Sequence, residues 1–348
     1  MKALVLEAPM RLSYTEVPTP DPGPGEVLVD VHACGICGSD VHGMDGGTGR
    51  RMPPLVMGHE AAGIVAALGP ETHGWNVGDR VAFGSTLFCG RCEECRSGRV
   101  NLCDTRRILG ASTPEQRKDG AFAESVTLPA HVLVRLPDGV SFEHAALAEP
   151  LSVALHAVAR AHTGPGESAV VIGTGVIGLL AVQALREAGV DPVIGIDLDL
   201  GRLELARSLG ARHAFPAGMD GLEQAVRDVT GGRGAHVAIE AVGIAAAIRT
   251  AIGCVRRAGK VVLVGNLVPD VDIPLQTVIT SELTLLGSCA LAGELGRSLD
   301  LLARGAVDVG PLISAVAPLS DGAAWFGRLY RAEPGLLKVV LTPRAASA

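Results

Sequence analysis

Charge is scarce in this chain: charged residues make up 19% of 348 positions, and no block of Lys or Arg occurs anywhere. A composition that is 48% apolar and carries 45 glycines suits packed strands and tight turns, and excludes a disordered chain. With a net charge of −7, the missing basic runs argue against a nucleic-acid partner or an anionic membrane surface. The opening Met1-Lys-Ala-Leu-Val-Leu-Glu7 is a strand pattern interrupted by charge and has no secretory h-region. Ser168 to Leu185 lacks charge over 18 positions, but its glycines and strand-to-helix switch read as a buried βα unit, so no membrane span is expected. Internal repeats and low-complexity linkers are absent too. Eight cysteines without a secretory signal point away from disulfides and toward a reducing cytoplasm.

What is present is organised around Ala169-Val-Val-Ile-Gly-Thr-Gly-Val-Ile-Gly178. A β-branched apolar run leads into Gly173, Thr174, Gly175, Val176, Ile177 and Gly178, and Leu179 to Glu187 reads as an amphipathic helix. This is G-x-G-x-x-G in its required context. The first glycine allows the turn, the second lets a pyrophosphate approach, and the third packs helix on strand. The next strand, 192–197, ends in Asp197, an acid about 20 residues past the glycines that would accept from an adenosine ribose and repel a phosphate there. A site for NAD rather than NADP follows.

A chain this long predicts about two domains. Residues 1–150 read as β-rich, with strands near 3–7, 26–33, 63–68 and 79–83, and 289–348 return to complete that domain. Residues 151–288 alternate strand and helix in the doubly wound parallel manner. Strands fall at 169–173, 192–197, 212–215, 235–240, 260–265 and 282–287, with helices at 201–210, 221–230 and 244–257. The strand C-termini, including Val242, Val264, Gly265 and Asn266, should border the cofactor. Arg344–Ala348 reads as a loose tail.

Two groups of residues carry metal chemistry. Cys89, Cys92, Cys95 and Cys103 lie within fifteen residues at C-x₂-C-x₂-C-x₇-C spacing, and four thiolates on one lobe close a tetrahedron around a structural Zn²⁺. Cys37, Ser39, His42, His59 and Glu60 gather sulfur, nitrogen and oxygen donors in one domain, a set that suits Zn²⁺. Cys34 reads as a small buried hydrophobe and His32 as a strand residue. Glu149 stands in apolar surroundings, where a carboxylate requires a metal or a cation nearby.

In order along the chain, Gly35-Ile-Cys37-Gly-Ser-Asp, Gly58-His-Glu60-Ala-Ala-Gly63, Val77-Gly-Asp-Arg-Val81, the cysteine lobe, Glu149-Pro-Leu-Ser-Val and Gly173–Gly178 resemble the zinc-dependent medium-chain dehydrogenases, most of all their polyol (sorbitol) and threonine dehydrogenase branch. The resemblance implies an α/β chain with a GroES-like catalytic domain and a Rossmann domain. It implies a catalytic zinc held by Cys37, His59 and Glu60, with Glu149 as fourth ligand or as holder of the zinc-bound water, and Asp40 behind His59. Ser39 and His42 match a proton relay, and Arg202 a position over the adenine or ribose. The implied activity is oxidation of a polyol or other secondary alcohol with NAD, in a homo-oligomer, dimer or tetramer. The chain departs from sorbitol dehydrogenases at Gly43 and Ser288-Cys-Ala-Leu-Ala, where that branch places tyrosine and arginine, so a smaller, less polar pocket wall is expected. Threonine or another secondary alcohol stays open as substrate. So, from other classes, do a non-catalytic NAD-binding relative and a zinc-ribbon interaction module.

Overall fold

Along Glu26–Gly35 the side chains of Val27, Val29, Val31 and Ala33 are buried at every second position, the period of a strand with one face on a core. This strand is the spine of the first unit in the structure, a computed structural model that describes residues 1–113 and 117–343. Arg344–Ala348, read above as a tail, lie outside the described residues. The chain divides into two compact units. One comprises Met1–Ser152, Ala290–Gly305 and the chain from Val309 onward, and the other Val153–Cys289 with Ala306–Asp308.

In the first unit the strand order is Leu133–Arg135, Arg80–Phe83, Glu60–Leu68, Glu26–Gly35, Lys338–Thr342 and Ile313–Pro318, with Ser125–Pro129 also pairing onto Glu26–Gly35. The register sets Gly35 opposite Glu60 on one side and opposite Val340 on the other. Sequence positions far apart therefore meet at the end of the spine strand. Leu4, Leu55, Met57, Phe83, Phe122, Leu128 and Phe326 fill the core beneath. The helix Leu295–Ala303 packs in the same unit, setting Leu295 and Leu299 against Ala62, Ala82, Leu136 and Val140. Cys34 is fully buried and His32 stacks on Phe142 at 4.4 Å, so both are packing residues.

The second unit is a six-stranded, wholly parallel sheet in the order His213–Pro216, Val193–Asp197, Ala169–Ile172, Ala235–Glu240, Val255–Leu263, Thr284–Gly287. The first strand lies inside and the chain winds outward both ways, the doubly wound order expected. Some boundaries move, and one element is new. The helix expected from Leu179 starts at Val176, because Gly175 is extended and its carbonyl accepts from Leu179 N. The helix expected to 257 stops at Cys254; Val255 is already extended, and the strand expected at 260 begins there, interrupted by a bulge at which Ala258 has φ 56°. A short helix, Leu275–Thr280, stands where none was expected. Back in the segment that precedes this sheet, Ala148–Ala161 is helical from before Pro150, which sits in the first turn where its missing N–H has no intrahelical acceptor. Among the described residues no helix is long and apolar enough to cross a membrane.

A Cβ on Gly178 would lie 1.8 Å from the Gly173 carbonyl oxygen, a backbone atom that cannot yield. Gly296, also helical, has nothing nearer than 4.0 Å. Gly178→Ala is expected to cost more than about 2 kcal/mol in chemical denaturation, whereas Gly296→Ala should be neutral or stabilising by up to about 1 kcal/mol.

Candidate metal centres and dinucleotide turn

Cys37 ends the spine strand's run and caps the helix Gly38–Gly43, its Sγ accepting from Ser39 N at 3.5 Å and from the Ser39 hydroxyl at 3.2 Å. His59 and Glu60 arrive from the other direction. Gly58, at φ +95°, turns the chain into the strand Glu60–Leu68, and a Cβ there would stand 2.9 Å from Cys34 Sγ and from Phe122. The outcome is a cluster in which ligand atoms of Cys37, His59 and Glu60 lie within 4.8 Å of one another, with His59 and Glu60 buried. Sulfur, imidazole nitrogen and carboxylate oxygen together are a donor set that fits Zn²⁺.

Electrostatics reinforce the grouping. Asp40, fully buried, sets Oδ1 3.5 Å from His59 Nδ1, while Asp40 Oδ2 and His59 Nδ1 have no hydrogen-bond partner among the described residues. Burial penalises the Asp40 charge, yet His59 and Arg51 hold the carboxyl down at about 2. Burial likewise opposes charge on His59, and Asp40 and Cys37 on its two sides push its proton affinity well above the ordinary value.

Two members of the site carry no sequence motif. Lys338, from the C-terminal strand, donates to Glu60 Oε2 at 2.5 Å and to the Ile36 carbonyl at 2.9 Å, inside protein on all sides. Burial would discharge this ammonium, but Glu60 and Cys37 raise its pKa. The only sequence signal is one lysine in an apolar strand. Arg51 is the other: its guanidinium reaches Asp40 and Ser39, and its stem fills the space beside Gly43 where an emptier wall was expected. Glu149 is buried and hydrogen-bonded to Ser85, with its proton affinity raised by burial, and it feels both His59 and Glu60 while standing outside the three-ligand group. His42 is exposed at the end of its helix and is not hydrogen-bonded to Ser39.

The second cluster is local. Cys89, Cys92, Cys95 and Cys103 converge around the short helix Glu93–Arg96, with Cys89 Sγ and Cys95 Sγ 3.9 Å apart. Zinc–sulfur bonds of about 2.3 Å in a tetrahedron require sulfur–sulfur edges of about 3.8 Å, so the lobe fits that ion. Backbone N–H groups of Arg91 and Cys92 point at Cys89 Sγ and lower its thiol to about 6, while burial opposes charge on Cys103 and the N–H groups of Cys89 and Thr105 lower its thiol. Desolvation and the neighbouring sulfurs instead push Cys95 up to about 12. A divalent ion would remove that asymmetry by deprotonating all four.

In the second unit, Thr174 is pinned by Asp197, whose Oδ2 accepts from Thr174 N at 2.6 Å and from Thr174 Oγ1 at 3.2 Å. Asp197 Oδ1 accepts from Asp199 N at 2.9 Å, and Asp199 caps the next helix through Arg202 N. Gly175 has no heavy atom within 4 Å of a built Cβ, leaving room for a phosphate over the helix start at Val176 and Ile177. At the neighbouring strand ends Gly243 and Gly265 cross so closely that a Cβ on Gly265 would lie 2.1 Å from Gly243 N, which sets Val242, Val264 and Asn266 on one edge. Glu240, buried, ties that turn by accepting from Val242 N and Gly243 N.

A donor set for one divalent ion, a thiolate lobe for another and a phosphate turn on a parallel sheet together define a metal-dependent, dinucleotide-using oxidoreductase. Residues 23–138 match the alcohol dehydrogenase GroES-like domain and 176–304 the zinc-binding dehydrogenase domain. The chain is 37% identical to sorbitol dehydrogenase of Bacillus subtilis over 99% of its own length and 97% of that protein. It is 36% identical to D-xylulose reductase A of Aspergillus oryzae over 93% and 92% of the two chains. A zinc-binding dehydrogenase from Sinorhizobium meliloti, solved with NADP bound, superposes with a TM-score of 0.88 at 33% identity, covering 98% of this chain and 99% of that one. The chain belongs to the zinc-dependent medium-chain alcohol dehydrogenases, in their polyol dehydrogenase branch.

Because Asp40 is held at about 2 against an unfolded value of 3.8, its contribution to stability is fully present above about pH 4 and disappears as pH falls toward 2. In chelator-treated protein, Asp40→Asn should therefore lose about 2 kcal/mol at neutral pH and show a flatter stability profile between pH 4 and 2, read by urea denaturation.

Proposed function

We propose that the protein oxidises a secondary alcohol, a polyol or sugar-derived alcohol, to the ketone and passes the hydride to NAD. The observation that carries this reading is the buried convergence of Cys37, His59 and Glu60 beside the Ser39 hydroxyl. These three residues are assigned as ligands of a catalytic zinc, with Glu149 acting at the fourth position directly or through water. Cys89, Cys92, Cys95 and Cys103 are assigned to a structural zinc. The naming of the Bacillus relative for sorbitol and the Aspergillus relative for D-xylulose supports a polyhydroxylated substrate.

When bound, zinc supplies the Lewis acidity that lowers the pKa of the alcohol, and NAD supplies the hydride acceptor. The chain's residues do the rest. Ser39 Oγ takes the hydroxyl proton while its own proton moves on, with His42, exposed at the end of the same helix, or a ribose hydroxyl as the next carrier. Asp40 holds the His59 ring in one orientation, and Lys338 holds the Glu60 carboxylate. Gly173, Thr174, Gly175, Val176, Ile177 and Gly178 seat the pyrophosphate. Asp197, fixed by Thr174 and Asp199, offers a negative charge to the ribose, which favours NAD over its phosphorylated form. Arg202, Val242, Val264, Gly265 and Asn266 are assigned to the rest of the cofactor wall.

A homo-oligomer is part of this reading. Thr284–Gly287 is an edge strand, and Leu275 and Ile279 beside it are 59% and 64% exposed, an apolar margin that suits a second copy of the chain. A reducing compartment such as the cytoplasm suits thiolate ligands.

The purified protein is expected to hold two zinc ions per chain by elemental analysis and to reduce NAD with members of a panel of polyols, sugar phosphates, cyclitols, amino alcohols and simple alcohols. Cys37→Ala and His59→Ala should abolish turnover while NAD still binds; near-normal rates in metal-stripped Cys37→Ala would sink the mechanism. Cys89→Ser should instead lower the melting temperature or assembly.

A further inference from the structure

Arg51 owes its position to a gap. Gly43 closes the helix Gly38–Gly43, and a Cβ there would stand 2.5 Å from Arg51 Cγ and 3.3 Å from Arg51 Cβ. Past this bare backbone the Arg51 stem runs inward until the residue is only 5% exposed. Its Nε donates to Asp40 Oδ1 at 3.0 Å and Nη2 lies 2.9 Å from the same oxygen. The same Nη2 donates to Ser39 Oγ at 3.3 Å, and Nη1 donates to the Arg50 carbonyl at 3.3 Å.

A serine hydroxyl has one proton to give and two lone pairs to offer. Ser39 directs its proton to Cys37 Sγ at 3.2 Å, and Arg51 occupies one lone pair. One acceptor direction is left. A flexible serine would spread its acceptor capacity over many orientations, whereas this one has a single open lobe. The guanidinium exchanges no proton at any pH the fold survives, so it cannot be a carrier. Its charge instead lies beside the atom through which the proton passes.

We propose that Arg51 is a positioning residue for alcohol oxidation: its guanidinium, admitted by Gly43, leaves Ser39 Oγ one acceptor direction for the substrate hydroxyl and locks Asp40, and through it the His59 ring. This rests on Ser39 as proton acceptor and His59 as zinc ligand. In the step concerned the proton Ser39 holds leaves its contact with Cys37 Sγ for His42, a ribose hydroxyl or water, the substrate O–H bond breaks, and an O–H bond forms on Ser39. Arg51 stabilises the negative charge that builds on Oγ while those transfers are out of step. Its fork serves two acceptors at once, which an ammonium cannot do.

Three variants of the zinc-loaded enzyme test this. Arg51→Met removes the guanidinium. Gly43→Ala keeps every polar group, places alanine at the end of a helix where it is favoured, and displaces Arg51 by collision alone. Arg51→Lys keeps the charge without the fork. Losing a partner behind the groups that act costs typically 10- to 100-fold, so Arg51→Met and Gly43→Ala should both lower kcat by about that factor. KM for alcohol and for NAD should move less than about threefold, and Arg51→Lys should fall between. A second readout is independent of turnover. In protein carrying cobalt(II) in place of zinc, Arg51→Met should displace the visible absorption bands, because His59 moves with Asp40. Wild-type kcat in both Arg51→Met and Gly43→Ala, or unchanged cobalt bands in Arg51→Met, would overturn the assignment. If the native enzyme oxidises no alcohol of the panel, the reading of Ser39 falls first, and the cobalt bands still decide whether Arg51 orients His59.

Discussion

Everything in the first unit's site depends on pairing a carboxylate that the fold buries. Glu60 is 2% exposed, and a charge so placed is costly unless it is paired and hydrogen-bonded. The Lys338 ammonium supplies that pairing at 2.5 Å, and the pair fits because Gly35, between the two strands, has no side chain. A Cβ on Gly35 would meet Glu60 Oε2 at 2.4 Å. One missing methyl group thus permits an ion pair, and the ion pair holds an anionic oxygen beside Cys37 and His59. Removing one partner of such a pair leaves an uncompensated buried charge, which is worth about 3–5 kcal/mol.

The two donor clusters are built in opposite ways. The thiolate lobe is nearly all local: fourteen residues separate Cys89 from Cys103, and its stabilising N–H groups come from Arg91, Cys92 and Cys89 themselves. The Cys37 centre draws on three strands and a helix cap, and it sits where the spine strand ends. A local loop can be closed by its ion. The second centre exists only when the sheet has its register, because sliding by one residue would turn Glu60 away from Gly35.

That contrast explains what could be read in the sequence. Gly173–Gly178, the four cysteines and the ordered motifs Gly35–Asp40 and Gly58–Gly63 are short-range patterns whose spacing carries their chemistry, so the sheet class, both donor sets and the acid at Asp197 were legible. Arg51 and Lys338 were not. Lys338 acts on a residue brought near by strand pairing and Arg51 through a loop that folds back onto Asp40, and a basic residue in a glycine-rich loop or an apolar strand has no period or spacing to mark it. The helix expected through 257 failed for a related reason: Val255 obeys the neighbouring strand, with which it pairs at Ala235, rather than its own apolar run. The bare position at Gly43 pointed to a less polar wall, and only the structure shows an arginine stem passing through it.

Glu60 and Lys338 are 278 residues apart, and chain synthesis at about 5–20 residues per second separates their emergence by roughly 14–56 s. Over that interval the spine strand and its neighbour Glu60–Leu68 can pair, but the carboxylate has no cation of its own. Without that cation, burying the carboxylate is costly. The strand Lys338–Thr342 is therefore the one whose arrival lets the interior around Glu60 close. The closing of this interior is thus tied to the distance along the polymer between an acid and its base.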